Sequence, residues 1–145
     1  MLRSLLYISE SSMDRTESPA AMEHIVEASR RHNPAMGVTG ALIFTGVHFA
    51  QVLEGSGPAL EILMRRIASD ERHNLVDILQ DTEIDRRHFR AWSMAYSGPS
   101  SYLAAHLSPL LLPDETSPAP ADSAERLMMV MYEFAATLGT ADRVG

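Results

Sequence analysis

One strand constrains this chain more than any other stretch, because it carries an amide side chain on its apolar face and then turns directly into a helix. It reads His48-Phe49-Ala50-Gln51-Val52-Leu53-Glu54-Gly55-Ser56-Gly57-Pro58. Side chains alternate along a strand, so the amide of Gln51 lies between Phe49 and Leu53 on one face. A buried amide needs partners for both its oxygen and its nitrogen. Gln51 is therefore either a core residue that backbone groups satisfy or a residue that faces the polar edge of a ligand.

Composition limits the class of protein. The 145 residues, 46% hydrophobic and 21% charged, suffice for one domain with a core and a short appendage. A formal charge of −7 argues against nucleic acid as a partner. Cysteine is absent and the six histidines lack ligand spacing, so no metal site is expected. Neither a signal peptide nor an apolar run of about 20 residues is visible, so we expect a cytoplasmic protein with no membrane contact.

The first half of the chain predicts a strand, a helix and a hairpin. Residues 2–9 alternate as a strand covered on both faces, with Tyr7 and Ser9 pointing the same way. Ser18-Pro19 begins a helix that runs to about Asn33, where local pattern predicts a C-terminal cap before a proline. Residues 37–44 form a second strand, which turns at Thr45-Gly46-Val47 into the strand of Gln51.

The stretch that follows Gln51 predicts a second helix and two further strands. Gly55-Ser56-Gly57-Pro58 begins the helix, and this loop matches neither the dinucleotide-binding nor the P-loop glycine pattern. The helix ends at residues 70–73. Its apolar positions recur at helical spacing: Leu60, Leu63, Met64 and Ile67. Strands are expected around residues 76–80 and 89–97.

This order of elements suits a ferredoxin-like α+β fold with a five-stranded mixed sheet and both helices on one face. The opposite face would carry side chains that are too apolar to leave in water: Leu6, Ile8, Ala41, Ile43, Ala50 and Val52. We therefore expect the C-terminal helices to cover that face.

Residues 98–145 are predicted to form this helical cap. A short helix is expected at 102–112, a proline-rich linker at 113–121, and a last helix from a cap at Asp122 or Ser123 to about Leu138. The apolar stripe of that helix contains Leu127, Met131, Phe134 and Leu138. The cluster Met128, Met129 and Met131 favours packing on the sheet, with docking of a partner protein as the alternative.

Several motifs together resemble the BLUF domain, a flavin domain that senses blue light. They occur in family order over residues 1 to about 97, and the set is specific although each motif alone is weak. The motifs are Leu6-Tyr7-Ile8-Ser9, His32-Asn33-Pro34, Gly37-Val38-Thr39-Gly40-Ala41-Leu42, Phe49-Ala50-Gln51-Val52-Leu53-Glu54-Gly55, Asp70-Glu71-Arg72-His73 and Arg87-His88-Phe89-Arg90-Ala91-Trp92-Ser93-Met94.

The resemblance implies a flavin, FAD or FMN, between the two helices and over the sheet face that bears Tyr7 and Gln51. Asn33 would hydrogen-bond the polar edge of the ring, and the arginines suit the phosphate because they are always charged and fork-shaped. The implied cofactor-binding residues are Tyr7, Ser9, Ile25, Ser29, Asn33, Gln51, Arg66, Asp70, Arg72, His73 and Met94.

The resemblance also implies a light switch without enzymatic activity. Light would excite the flavin, an electron and a proton would leave Tyr7 transiently, and Gln51 would rotate or change tautomer so that its hydrogen bonds to the ring rearrange. The flavin would then return to its oxidised state within a different hydrogen-bond network. Trp92 and Met94 on the fifth strand would receive this change and pass it to the C-terminal helices. We expect no effector domain after residue 97, and we therefore expect signalling to a separate protein partner or through a homo-oligomer.

Two alternatives remain open. A flavin-free interaction module could keep the same fold. A small hydrolase of the acylphosphatase type is the second alternative; its raw material would be Asn33, Arg66 and His73, but no nucleophile and base pair is evident.

Overall fold

The predicted order of elements is confirmed in the part of the chain that the structure describes. A computed structural model describes residues 1–12, 18–45, 48–71, 73–89, 95–97 and 120–137. The elements are β1 (Leu2–Ser11), α1 (Ser18–Met36), β2 (Thr39–Phe44), β3 (His48–Ser56), α2 (Gly57–Ser69), β4 (His73–Glu83), β5 (Ala95–Ser97) and α3 (Pro120–Thr137). No helix among these residues is long and apolar enough to cross a membrane.

The strands form one five-stranded sheet in the order β4-β1-β3-β2-β5. Strand β3 is central and pairs antiparallel with β1 and β2, whereas β2 pairs parallel with β5. The predicted mixed sheet is thus confirmed. In this register Gln51 lies directly opposite Tyr7 on β1 and Leu42 on β2. The backbone of Gln51 is therefore in the middle of the sheet, with a paired strand on each side.

Alternation along the strands separates two apolar clusters. One cluster joins sheet residues such as Leu42, Phe49 and Leu53 to α1 and α2. The other joins the opposite face to α3, where Leu127 and Met131 are fully buried. The prediction that C-terminal helices cover the far face is confirmed for α3. The sheet residues of this second cluster are Leu6, Ala41, Ile43, Ala50 and Val52, with Ile8 partly buried beside them.

The methionine cluster of α3 divides between these environments. Met128 and Met131 are buried in the far-face cluster, as predicted, whereas Met129 is 54% exposed. Packing against the sheet therefore explains two of the three side chains.

The end of α1 differs from the prediction that Asn33 is its C-terminal cap. The helix continues through Pro34 to Met36, and Gly37 takes a left-handed conformation with φ +69°. The N–H of Gly37 donates to the Pro34 carbonyl at 3.1 Å, and the N–H of Val38 donates to the Asn33 carbonyl at 2.9 Å. These two bonds form a Schellman motif, in which a glycine closes the helix. The cap prediction is wrong, because Gly37 closes the helix four residues after Asn33.

Other boundaries also shift. Strand β4 extends beyond the predicted 76–80, because it pairs with β1 from Ser11↔His73 to Arg3↔Glu83. Phe89 lies in a bend, so it does not begin the fifth strand, and residues 90–94 lie outside the described residues. Helix α3 begins at Pro120, before the predicted caps, since proline suits the first turn of a helix. The predicted helix 102–112 and residues 113–119 of the linker also lie outside the described part, and the division at residue 97 stays a prediction.

Candidate functional site

A cleft lies over the centre of β3, bounded by residues of α1 and α2. The lining residues come from α1 (Ile25, Ala28, Ser29, Asn33), β3 (Gln51, Leu53) and α2 with its C-cap (Leu63, Arg66, Ile67, Asp70). Six of the predicted site residues are therefore brought together here.

The predicted set omitted four lining residues, Ala28, Leu53, Leu63 and Ile67. Leu63 and Ile67 were visible as apolar positions of α2, and Leu53 as a neighbour of Gln51 on its strand. Periodicity assigns such side chains to the core, and it cannot distinguish a core face from the apolar wall of a ligand site.

Tyr7 and Gln51 form the polar centre of the site. They face each other across β1 and β3, and the O–H of Tyr7 donates a hydrogen bond to Oε1 of Gln51. Tyr7 is completely buried and Gln51 is 6% exposed. Because Gln51 also lines the cleft, its side-chain amide links the buried phenol of Tyr7 to the cleft by a hydrogen bond. The amide oxygen is directed to the phenol, and the amide nitrogen is the donor end of the same group.

The environment of Tyr7 keeps its phenol protonated. Burial raises the pKa of Tyr7 above its ordinary value of 10, and the negative charge of Asp70 raises it further. Both causes disfavour the phenolate, the first by desolvation and the second by repulsion. Tyr7 is thus a hydrogen-bond donor to Gln51 at every pH near neutrality.

Asn33 lies in the cleft at the end of α1 and is 3% exposed. Its backbone carbonyl takes part in the Schellman motif, while Gly37 rather than Asn33 ends the helix. The side-chain amide is therefore not the helix cap, and it lies in the cleft together with the hydroxyl of Ser29.

The remaining predicted residues lie at different distances from this centre. Arg66 is exposed and Asp70 half-buried, both on the α2 side of the cleft. Ser9 is buried on β1, opposite Phe49. His73 begins β4. Arg72, Trp92 and Met94 lie outside the described residues.

This donor set fits a flat ligand with a polar rim. Two amides and a hydroxyl, from Asn33, Gln51 and Ser29, can address donor and acceptor atoms on a ring edge. Aliphatic side chains from three elements supply apolar contact area, and the guanidinium of Arg66 suits a phosphate. Among the residues described, no cluster of three or more His, Asp or Glu could hold a metal ion.

The ferredoxin-like sheet, the tyrosine–glutamine pair and the two-helix cleft are the features that the resemblance to a flavin-based light-sensing domain implies. Residues 2–95 match the family described as "BLUF: Sensors of blue-light using FAD". The chain belongs to this family, and the resemblance that its motifs indicated is confirmed.

Similar proteins extend this assignment. The chain is 38% identical over 92 residues to the "Blue light- and temperature-regulated antirepressor BluF" of Escherichia coli (strain K12), covering 63% of this chain and 22% of that protein. It superposes on the dark-state structure of the BLUF protein BlrB with a TM-score of 0.73 and 32% identity, covering 94% and 97% of the two chains. A structure of Klebsiella pneumoniae BlrP1 with FMN and cyclic diGMP gives a TM-score of 0.65 and 29% identity, with 94% of this chain and 35% of that chain covered.

Proposed function

We propose that this chain is a blue-light receptor that binds an oxidised flavin in the cleft and signals by rearranging the hydrogen bond between Tyr7 and Gln51. The observation that carries the proposal is that bond: a buried phenol donates to an amide that also lines the cleft between α1 and α2. FAD is the flavin that the family's description names, and FMN is the alternative because the Klebsiella protein was solved with it.

The residues of the cleft divide the work of binding. Asn33, Ser29 and Gln51 address the polar edge of the flavin ring, while Ile25 and the other aliphatic side chains contact its faces. Arg66 addresses the phosphate, together with Arg72 and His73, which follow α2 along the chain. A bound flavin would supply the absorption of blue light, and its polar ring edge would be the group that senses a change in the amides around it.

The switch itself is a property of Gln51. Before illumination, Oε1 accepts a hydrogen bond from the phenolic O–H of Tyr7. A half-turn of the amide, or its imidic tautomer, exchanges donor and acceptor at both ends of the group. The cleft then meets an acceptor where it had met a donor, and Tyr7 must rearrange its own hydrogen bonds. Ser9, Trp92 and Met94 are proposed to take part in this network.

We propose that the output leaves through a protein partner or a homo-oligomer rather than through catalysis by this chain. The Escherichia coli relative is named as an antirepressor, and this chain spans only 22% of its length. The acidic composition, without cysteine, supports a cytoplasmic location and argues against nucleic acid as the partner.

The deciding experiment is the absorption spectrum of the purified protein in the dark and under blue light. We expect a yellow protein whose flavin band shifts reversibly to the red. Tyr7→Phe and Gln51→Leu should bind flavin but lose the shift. Tyr132→Phe and Gln80→Leu are matched controls, because both residues line a groove between β4 and α3 and should keep the shift.

Two outcomes would contradict the proposal. A normal light response in Tyr7→Phe or Gln51→Leu would refute the switch. A colourless protein that takes up neither FAD nor FMN would instead favour a flavin-free interaction module.

A further inference from the structure

A buried carboxylate lies on the face of the sheet opposite the cleft. Glu54 is three residues after Gln51 on β3, and its exposure is 0%. An odd spacing along a strand directs the two side chains to opposite faces. Burial of a carboxylate is costly unless hydrogen bonds compensate it, so the partners of Glu54 indicate what this residue is for.

Three donors converge on this carboxylate. Its Oε2 accepts the backbone N–H of His88 at 2.7 Å. Its Oε1 accepts the backbone N–H of Phe89 at 2.8 Å and the hydroxyl of Thr39 at 3.1 Å. Two of the three donors thus belong to the connection that leads from β4 toward β5, and the carboxylate fixes the course of that backbone.

Arg87, which immediately precedes those two residues, joins the same group to the end of α1. Its Nη1 donates to Thr39 Oγ1 at 3.0 Å and to the backbone carbonyl of Glu54 at 2.9 Å. Its Nη2 donates to the carbonyl of Gly37 at 2.6 Å. A planar guanidinium can bind several acceptors at once in fixed directions. We call Thr39, Glu54 and Arg87 the Glu54 clamp.

The Glu54 clamp makes hydrogen bonds to residues on both sides of the sheet. On the side of the cleft it holds Gly37, which closes the helix that carries Asn33. On the far side it holds Phe89, which is 1% exposed and packs in the cluster that contains α3. The ring of Tyr132 on α3 lies 5.0 Å from His88 and 5.2 Å from Phe89, between ring centroids.

We infer that the Glu54 clamp is a positioning device that couples the Gln51 strand and the end of α1 to helix α3. This inference rests on the proposed function. When β3 or the end of α1 shifts, the backbone of residues 88–89 must shift with it, because charge-assisted hydrogen bonds fix their relative position. Phe89 then transfers that shift to Tyr132, since tightly packed side chains transmit displacement.

The test is amide hydrogen exchange of the flavin-loaded full chain, in the dark and under blue light, beside the flavin absorption shift. Glu54→Gln deprives one of the two backbone N–H groups of its carboxylate acceptor. Thr39→Val removes one hydroxyl at nearly constant side-chain shape. If Glu54→Gln fails to fold, exchange can still be measured in Thr39→Val. The matched controls are Thr39→Ser, which keeps the hydroxyl, and Arg86→Gln, an exposed neighbour set against Arg87→Gln.

In the wild type we expect illumination to change exchange in residues 124–133 of α3. In the clamp variants, dark-state exchange at residues 88–89 should rise by about 10-fold, because their N–H groups lose a buried acceptor or its support. The absorption shift should keep its amplitude, and the light-dependent change in α3 should be lost. Loss of stability alone would not remove a light-dependent difference while leaving the flavin shift intact.

The outcomes separate the two proposals. A wild type without any absorption shift refutes the proposed function, and dark-state exchange at residues 88–89 then still decides whether the clamp holds that segment. A wild type that shifts but shows no light-dependent change in α3 overturns the coupling. Thr39→Val and Arg87→Gln that retain the α3 response, or that leave exchange at 88–89 unchanged, overturn the clamp.

Discussion

Replacing Tyr7 by phenylalanine removes a single oxygen atom, and so isolates the hydrogen bond that the phenol donates to Gln51. Both side chains are buried, at 0% and 6% exposure. A buried polar atom that loses its partner costs about 1–3 kcal/mol. Tyr7→Phe and Gln51→Leu should each lower the free energy of unfolding by about that amount. Removing both partners together leaves neither end of this bond without a partner, so the double variant should cost less than the sum, with a coupling energy of about 0.5–3 kcal/mol.

The assay is denaturant and thermal unfolding in the dark, with the same excess of flavin for all four proteins. Equal ligand is necessary because binding to the folded state adds its own stabilisation. For a chain of this size, each kcal/mol should lower the melting temperature by about 2–4 °C. Tyr132→Phe serves as the control, because it removes a phenolic oxygen from a partly buried ring on the other face.

Strict additivity would refute this reasoning. If the double variant loses the sum of the two single losses, the phenol and the amide do not share a bond that stabilises the fold. Gln51 would then be a core amide that other groups satisfy, which is one of the two interpretations that its strand alone permits.

Three further predictions follow from the ends of α1 and from the buried phenol. Asn33→Ala should raise the dissociation constant for added FMN or FAD about 10-fold in a fluorescence titration, as expected for one lost hydrogen bond; unchanged affinity would contradict its place in the site. Gly37→Ala should lower the free energy of unfolding by about 1–2 kcal/mol in denaturant unfolding, because φ at Gly37 is +69°. Gly57→Ala is the control, since an added Cβ there makes only an ordinary contact with Arg3. An equal loss of stability in both variants would refute the role of Gly37 as the helix cap. Above about pH 10 the free energy of unfolding should fall by up to about 1.4 kcal/mol per pH unit, since the folded state retains the Tyr7 proton that the unfolded state loses; Tyr7→Phe should reduce this slope and leave the pH dependence below about pH 10 unchanged.

Alternation along strands was sufficient to predict which side chains face which layer. It placed Ala50 and Val52 on a face that needed a cover, and α3 provides that cover. The same rule placed Gln51 among apolar neighbours but left its partner undetermined. That partner follows from the register of β1 against β3, a long-range property that no local pattern contains; the resemblance to the family supplied it instead.

The end of α1 shows how a local signal can mislead. Asn33 before Pro34 is a common stop signal, because the residue before a proline avoids helical conformation. Here the helix continues, since Gly37 provides the left-handed residue that closes it and gives the carbonyl of Asn33 a donor. This difference has a functional consequence: the Asn33 side chain lies in the cleft instead of capping the helix.

Glu54 shows what sequence reasoning could not reach. Alternation placed a carboxylate on a buried face, and this conflict with the hydrophobic pattern was the only available signal. Its donors are 15, 34 and 35 residues away along the chain, so they are visible only once the sheet is assembled. Strand β3 therefore carries two buried polar groups that face opposite layers, Gln51 toward the cleft and Glu54 toward the cluster that contains α3. Because β3 is paired with a strand on each edge, a displacement of the strand at Gln51 also displaces Glu54 and the hydrogen bonds that it accepts. Strand β3 is therefore the element through which a change at the cleft reaches the far side of the sheet.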